Sequence, residues 1–178
     1  NEVWSELQER YFRTEIKNST EKTVDLDIFF QTFFRAKFAD TETEYEKFDD
    51  ETYHYEMYRN SKVKAYFGDY MDRSLLFERI VGDIRYFADL YLELRTSYKN
   101  EHLIFNKILD QNQQYLLLLS AITRDDKERA AKIDGVAAKF DQFHTLLRLL
   151  TAFDSSFQRS IYRLNPMLRD KSLADIKP

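Results

Sequence analysis

The sequence predicts an all-α fold, an irregular bundle of about six or seven helices around two long antiparallel helices. Only three glycines and two prolines occur in 178 residues, which is too little turn punctuation for a sheet of many short strands. In addition, apolar side chains recur at spacings of three and four in two long stretches, as on one face of a helix. The first stripe is Phe77, Ile80, Ile84, Phe87, Tyr91, Leu94 and Tyr98, and the second is Ile133, Val136, Phe140, Phe143, Leu147 and Leu150.

The first stripe predicts a helix over residues 72–99, roughly 40 Å long, with Asp72 as its N-cap. Gly82 lies inside this helix but off the stripe, where glycine costs about 1 kcal/mol relative to alanine. We therefore expect another element to pack closely at Gly82. The second stripe predicts a helix that starts at a capping box formed by Asp125 and Glu128. The two stripes would pack against each other at about 20°.

Two helices are predicted before the long ones. Residues 2–17 have helical spacing of Val3, Trp4, Leu7, Tyr11 and Ile16, and a polar run over 17–22 ends that helix. Residues 25–39 contain Leu26 and five phenylalanines on one wide apolar face. Either the domain's own core or a partner must cover this face. The candidate interface residues are Phe29, Phe30, Phe33 and Phe34.

The remaining segments have weaker patterns. Residues 40–68 are expected to be irregular or short-helical, and between Asp40 and Glu56 eight carboxylates against one lysine indicate a solvated acidic loop. Residues 103–109 predict a helix, and the polar stretch 110–114 predicts a break after it. Residues 115–122 are apolar nearly all round, as in a short helix buried in the middle of a bundle. Apolar spacing continues from Phe153 to Leu164, and Pro166 should end that helix or begin a new one.

The totals exclude several classes of protein. The chain has no cysteine, which excludes disulfides and thiolate chemistry and fits a reducing cytoplasm. The longest apolar run, 115–119, is far shorter than the eighteen or so residues of a membrane span, so we expect a cytoplasmic protein with no membrane partner. We expect residues 1–178 to form a single helical domain. Because the chain begins with Asn1, it is expected to be a fragment of a longer multidomain protein.

No catalytic constellation is evident. Two carboxylate-histidine pairs, Glu51 with His54 and Asp141 with His144, have the offset used in di-iron bundles, but carboxylates pointing inward from two further helices are missing. The serines lack a glycine-flanked turn, and there is no glycine-rich phosphate loop. We therefore expect no catalytic residue, metal or cofactor in this chain. A metal-dependent helical enzyme is one alternative, and it would require metal near His54 or His144.

The C-terminal region is the basic part of the chain. From Lys127 onward there are ten Lys and Arg residues against six Asp and Glu, although the whole chain has a net charge of −4. The candidate nucleic-acid contacts are Arg148, Arg159, Arg163 and Arg169. The alternative is that these arginines are simply solvated beside the bundle.

The order of segments resembles a known family. Trp4 lies in Asn-Glu-Val-Trp-Ser-Glu-Leu, Phe29 in Asp-Leu-Asp-Ile-Phe-Phe-Gln-Thr-Phe-Phe-Arg-Ala-Lys, and Tyr66 begins Tyr-Phe-Gly-Asp. The segment 75–94, then Phe-His-Thr-Leu-Leu-Arg-Leu-Leu from Phe143 and Phe-Gln-Arg-Ser-Ile-Tyr-Arg-Leu-Asn from Phe157, complete the series. Over nearly its whole length, the chain resembles the helical middle region of GmrSD-type proteins, which are type IV, modification-dependent restriction endonucleases.

The resemblance implies a function by position. In this family a ParB-like, nucleotide-using domain precedes the helical region and a His-Asn-His nuclease domain follows it. Neither the glutamine-arginine motif of the former nor the histidine motif of the latter occurs here, so no catalytic residue can be carried over. The resemblance therefore implies a non-catalytic connector of a bacterial DNA restriction protein, with those two domains as partners and weak DNA contacts. The alternative is a helical adaptor that offers residues 26–38 to a partner helix.

Overall fold

The computed structural model describes residue 2 and residues 5–9, 25–68, 73–150, 155–169 and 171–176. Within these ranges all regular structure is helical, and no strand occurs, so the predicted all-α bundle is confirmed. Among the same residues, every helix is too short or too polar to cross a bilayer. The α-helices are α1 (Leu26–Phe38), α2 (Glu42–Asp49), α3 (Glu56–Arg59), α4 (Ser61–Phe67), α5 (Arg73–Glu78), α6 (Arg85–Thr96), α7 (Glu101–Ile108), α8 (Gln113–Ala121), α9 (Arg129–Leu149), α10 (Ser155–Leu168) and α11 (Leu173–Ile176).

Several helix starts have side-chain caps that supply acceptors for free backbone N–H groups. The Asp25 carboxylate accepts from the N–H of Asp27 at 2.9 Å before α1. At α2, Thr41 and Glu44 form a reciprocal capping box. The Asn100 side chain accepts from the N–H of Leu103 at 2.9 Å and begins α7. These polar residues explain why α1, α2 and α7 begin where they do.

The first long helix is interrupted by an element that periodicity did not predict. Helices α5 and α6 are joined by a π-helix, Arg79–Ile84, which contains Gly82. Among the described residues the helical run covers 73–96, so it ends before the predicted residue 99, and the predicted cap Asp72 lies outside the described residues. A π-helix adds a residue per turn, which rotates the side chains that follow it. On the predicted stripe, Phe77 before the π-helix is 66 % exposed, whereas Phe87 after it is 4 % exposed.

The packing within the bundle differs from the predicted seam between the two long helices. The short helix α8 is central, since it packs against α1, α6, α9 and α10. Every residue from Gln114 to Ala121 is buried, which confirms the buried short helix predicted there. The stripe of α6 faces α1 and α8 instead of α9, with Phe87 on Phe33 at a centroid distance of 5.4 Å. The phenylalanine-rich α1 therefore covers the face of α6 that the sequence predicts to pack against α9.

The candidate interface on α1 is a correction. Phe29, Phe30, Phe33 and Phe34 are all buried, within one hydrophobic core. The residues that cover them come partly from the segment expected to be irregular or short-helical, which forms the short helices α2, α3 and α4. There, Phe48 stacks on Phe34 at 5.8 Å between ring centroids. Because α2 and the turn after it fold back over α1, the wide apolar face is covered by the chain itself.

Smaller expectations have mixed outcomes. The break at 110–114 is confirmed, because α7 ends at Ile108 and α8 begins at Gln113. Helix α10 continues through Pro166 to Leu168, which corrects the predicted end, since a proline in the last turn removes only one backbone bond. The predicted capping box of Asp125 and Glu128 is wrong, because Glu128 is the N-cap of α9 and Asp126 accepts from its N–H at 2.9 Å. Of the five apolar residues that predict the first helix, only Leu7 is among the described residues, and it is buried. Val3, Trp4, Tyr11, Ile16 and Phe153 lie outside the described residues.

Candidate functional site

Three of the four predicted nucleic-acid contacts are exposed side chains. Arg159 and Arg163 lie one turn apart on α10, and therefore on one face of that helix. Arg148 is exposed near the end of α9. The Arg159 guanidinium is 3.5 Å from the Glu42 carboxylate, an ion pair in which both side chains are more than half exposed. Such a pair is weak and leaves Arg159 accessible to another anion.

Arg169 has a different environment, which corrects its assignment to an exposed arginine row. Its side chain is 16 % exposed, and its guanidinium reaches the end of α1. Nε donates to the carbonyl of Ala36 at 3.0 Å, and one terminal nitrogen donates to the carbonyl of Ala39 at 2.7 Å. The other terminal nitrogen donates to Asp40 at 2.6 Å. Arg169 therefore satisfies the free carbonyls at the end of α1.

A polar cluster that periodicity did not reveal is centred on Asp83 in the π-helix. Its carboxylate is buried and accepts from the Tyr66 hydroxyl at 2.7 Å and from Arg79 at 2.7 Å. Arg124, in the loop after α8, donates to the other carboxylate oxygen at 3.2 Å. Three segments far apart in sequence thus converge on one carboxylate. Buried charges persist in proteins when they are paired and hydrogen-bonded in this way.

The same cluster forms the floor of a pocket. The cavity has a volume of about 310 Å³ and is lined by the end of α1, α4, the π-helix, α6, the loop after α8 and Arg169, which follows α10. Its charged lining residues are three cations and one carboxylate: Lys37, Arg124, Arg169 and Asp83. The Lys37 ammonium donates to the carbonyl of Ile122 at 2.8 Å and lies 4.3 Å from the centre of the Phe87 ring. The two arginines of the lining have carboxylate partners, since Arg169 pairs with Asp40 at 2.6 Å and Arg124 pairs with Asp83 at 3.2 Å.

The ionisation of the cluster follows from its contacts. Burial on its own would raise the pKa of Asp83, but the hydrogen bonds from Tyr66, Arg79 and Arg124 outweigh burial and hold that pKa below its ordinary value. Burial is also the main cause that raises the pKa of Tyr66, and the hydrogen bond to Asp83 adds to it. At neutral pH Asp83 is a carboxylate and Tyr66 remains a hydroxyl donor.

Gly82 is the residue that lets Arg124 approach the π-helix. A Cβ built at Gly82 would overlap the guanidinium of Arg124. This contact confirms the expectation that another element packs closely on that side of the helix. Gly82 was therefore the one sequence signal for the cluster. The approach of Tyr66 and Arg124 could not be read from spacing, because 58 positions separate them in the chain and only the fold joins them.

A larger cleft of about 650 Å³ opens on another side of the bundle, between α1, α6, α10 and the turn before α8. Its charges are balanced more evenly, because Arg35, Arg95 and Lys107 share the lining with Asp49 and Asp110. Arg35 and Asp49 form an ion pair at 2.7 Å across it. The Arg95 guanidinium donates to the Tyr91 hydroxyl at 3.0 Å. The first pair joins α1 to α2, and the second lies within α6.

The carboxylate-histidine pairs are not assembled into a metal site in the described ranges. There, no three His, Asp or Glu side chains lie close enough to hold one ion. Asp141 contacts His102 at 2.7 Å instead of His144. His144 is buried against the rings of Phe140 and Phe157, and its burial, with the nearby positive charge of Arg148, lowers its pKa.

No family model, curated protein or solved structure matches this chain in sequence or fold comparisons.

Proposed function

We propose that this chain is a non-catalytic helical connector of a bacterial DNA restriction protein of the GmrSD type. In this role it holds a preceding nucleotide-using domain and a following nuclease domain at fixed relative positions. The observation that supports the proposal is a single hydrophobic core that contains Leu7, near one end of the chain, together with Phe157 and Ile161, near the other. A connector needs both ends packed into the same core, because loosely attached ends would not transmit position.

Polar contacts support the same role at both ends. The Arg85 guanidinium lies 2.9 Å from the Glu6 carboxylate, which ties the N-terminal segment to α6. Near the other end, the N–H of Leu173 donates to the Glu128 carboxylate at 3.0 Å, which ties α11 to the start of α9. Each contact is partly solvated and is therefore worth little in free energy on its own. Together with the core, they attach both segments to the bundle.

The burial of α1 favours a connector over an adaptor. An adaptor needs an apolar face that a partner helix can cover. Phe29 and Phe33 are 0 % exposed, so this face is already used within the bundle. A partner could reach it only by unfolding α1 from the core.

The exposed arginines support weak contacts to DNA backbone. Arg148, Arg159 and Arg163 are accessible, and the region from Lys127 onward has four more cations than carboxylates. Contacts of this type are sequence-independent and salt-dependent, because arginines displace counterions from phosphates.

The connector proposal is tested on the full-length reading frame. We expect a glutamine-arginine motif before this region and a His-Asn-His motif after it, and a frame without either motif would overturn the proposal. In that full-length protein, Phe87→Ala should weaken the dependence of DNA cleavage on nucleotide, because it loosens the core between the two domains. Phe77→Ala is the matched control, since Phe77 is 66 % exposed and its loss should leave that dependence unchanged.

The DNA contacts are tested by the salt dependence of duplex binding. The plot of log affinity against log salt should lose about one unit of slope for each phosphate contact removed, here by Arg159→Gln or Arg163→Gln. Lys64→Gln is the charge-matched control, because Lys64 is exposed on α4, within the acidic part of the chain. Duplex affinity that does not change with salt, or that falls equally in all three variants, would remove these contacts from the proposal.

A further inference from the structure

We infer that the outward face of α9 is the contact surface between two copies of this chain, which pair with their α9 helices antiparallel. This inference goes beyond the connector role and does not depend on it. It starts from three leucines at the end of α9: Leu146, Leu149 and Leu150 are 58, 75 and 70 % exposed. They are three and four positions apart, so they form one apolar patch on the helix. Contiguous exposed apolar patches mark interaction surfaces.

The patch lies at one end of a second stripe along α9, which is distinct from the buried one. The spacing of this stripe alternates between four and three, as in a coiled-coil seam, over Ala131, Gly135, Ala138, Gln142, Thr145 and Leu149. Each of these six residues is exposed or half-buried, whereas Ile133, Val136 and Phe140 on the other face are buried. The helix therefore has a regular outward seam about 27 Å long.

The two halves of this seam complement each other in size. Ala131, Gly135 and Ala138 are small, and the leucines lie at the other end. When two such helices run antiparallel, the leucines of one copy lie over the small residues of the other. Leu149 then lies near Ala131 of the other copy, and Leu146 lies near Gly135. Small residues let the two helix axes approach closely, and the leucines fill the remaining space.

Gly135 supports this arrangement, because nothing within the chain requires a glycine there. It lies in the interior of α9, where glycine costs helix stability. Gly82 is explained by the guanidinium of Arg124, but a Cβ built at Gly135 would meet no atom of the described residues within 4 Å. A helix of a second copy that packs closely at this position explains the glycine.

The charges beside the seam match the antiparallel direction. Asp134 and Arg148 are both exposed and are two heptads apart, so they lie on the same side of α9. The Asp134 carboxylate accepts from the side-chain N–H of Asn100 at 2.8 Å, which holds it at this edge. In an antiparallel pair each Asp134 is brought beside Arg148 of the other copy, so two pairs of opposite charge form. Lys139 meets its own counterpart near the middle of the seam, where its flexible side chain can turn the ammonium into solvent.

A second copy fits this face better than an unrelated partner does, because the seam is complementary to itself. One helix supplies the large and the small residues and both charges. Such two-fold contacts are the commonest in soluble homo-oligomers. Interfaces of stable complexes bury about 800 Å² per partner, and a single pair of helices is smaller, so we expect a dissociation constant on the order of 10 to 100 μM.

The first test is sedimentation equilibrium of the chain over a series of concentrations, where we expect a reversible equilibrium between monomer and dimer. Leu149→Lys should weaken dimerisation about tenfold or more, because it places a charge in the seam. Ile108→Lys is the matched control, since Ile108 lies on α7 and is 74 % exposed against 75 % for Leu149. It should change the dissociation constant by less than about twofold. A chain that stays monomeric up to about 1 mM, or equal weakening in the two variants, would overturn the inference.

Gly135→Leu distinguishes a fitted seam from general apolar adhesion. The open space at Gly135 leaves room for the new side chain, so the variant should fold. Because the added leucine occupies the place of Leu146 of the other copy, dimerisation should weaken about tenfold. Adhesion without a defined geometry would instead become stronger, since the variant exposes more apolar surface, and that result would contradict the seam.

The direction of pairing is tested by disulfide formation, because the chain has no cysteine of its own. A chain with both Ala131→Cys and Leu149→Cys should form disulfide-linked dimers under mild oxidation, since antiparallel pairing brings these two positions together. Leu149→Cys alone should not, because the two copies of residue 149 would lie about 27 Å apart. Linked dimers of Leu149→Cys alone would show a parallel pair and refute the antiparallel one. None of these measurements uses the flanking domains, so failure of the connector proposal would leave their outcome unaffected.

Discussion

The Lys132 ammonium lies 2.6 Å from the Asp126 carboxylate, and the two side chains are only 4 % and 6 % exposed. This buried ion pair links the loop between α8 and α9 to the first turn of α9. Lys132 also donates, at 3.1 Å, to the carbonyl of Ala121, the last residue of α8. Asp126 accepts from the N–H of Glu128 at 2.9 Å, just before α9. One charged pair thus satisfies backbone groups at two helix ends.

Removing one partner of this pair should be strongly destabilising. Lys132→Met would leave the Asp126 carboxylate buried without its cation, and we expect a loss of about 3 to 5 kcal/mol in the free energy of unfolding. Urea denaturation measures this change. Lys139→Met on the exposed face of the same helix is the control and should change the free energy by less than about 0.5 kcal/mol. Equal urea midpoints for the two variants would show that the buried pair contributes nothing.

Asp126 should also make stability depend on pH in the acid range. Burial on its own would raise the pKa of Asp126, but hydrogen bonds from Lys132 and from backbone N–H groups outweigh it, and the folded-state pKa lies below the ordinary value. The unfolded chain therefore binds a proton at higher pH than the folded one. Its contribution is complete above about pH 4 and is lost as pH falls through the folded-state pKa.

We expect Asp126→Asn to reduce the fall in unfolding free energy below about pH 4, measured by urea denaturation at a series of pH values. Asp125→Asn is the adjacent control, because the Asp125 side chain is 88 % exposed. An acid profile identical to that of the original chain in Asp126→Asn would contradict the prediction.

Phe87→Ala should cost about 3 to 5 kcal/mol, because it creates a cavity where Phe87 packs on Phe33. Phe77→Ala, from the same sequence stripe, should cost less than about 1 kcal/mol because Phe77 is mostly exposed. The denaturation midpoints of the two variants compare a stripe residue before the π-helix, which is exposed, with one after it, which is buried. Equal losses would mean that Phe77 is buried as well.

Arg169→Gln should act on stability, unlike substitutions of the exposed arginines. It removes the donors to the carbonyls of Ala36 and Ala39, and we expect a loss of about 1 to 3 kcal/mol in unfolding free energy. Arg163→Gln, on the exposed surface of α10, should stay within about 0.5 kcal/mol. Thermal denaturation of the two variants distinguishes a structural arginine from a surface one. A large loss in Arg163→Gln would overturn its assignment as an exposed residue.

Two glycine substitutions should have opposite effects on the melting temperature. Gly135→Ala should stabilise the chain by about 0.5 to 1 kcal/mol, because it lies within α9 with open space around the new methyl group. Gly68→Ala should destabilise it, since Gly68 has a φ of +77° and a Cβ there would lie 2.6 Å from Leu75 Cδ2. A rise in melting temperature for Gly68→Ala would contradict the left-handed backbone at that position.

Periodicity was a good guide to which segments are helical and a poor guide to which helices pack together. It predicted a helix over residues 72–99 and a second one along the stripe from Ile133 to Leu150, and the structure has helical residues at 73–96 and 129–149. It paired them because each has an apolar stripe of heptad spacing that needs a partner. The structure instead covers α6 with α1 and α8, and the phenylalanines of α1 lie in the same core as Phe87.

The candidate site shows the same limit. Arg148, Arg159 and Arg163 were identified by residue type and spacing along helices, and exposure agrees with a surface role. Arg169 has the same residue type, yet only its contact with the end of α1 shows that it is structural. The Asp83 cluster had one local sign, Gly82 in a helix, because its other members are distant in sequence.

By itself the sequence determined that this chain is helical, where most of its helices lie, and that its central helix is buried on all sides. These properties follow from local spacing, glycine and proline content, and capping residues, which act over a few positions. Only the tertiary structure decided which faces meet, that the phenylalanines of α1 are internal, and that three cations line the pocket over the π-helix. The physical reason is that burial and charge pairing depend on distances between residues far apart in the chain, and local patterns do not contain those distances.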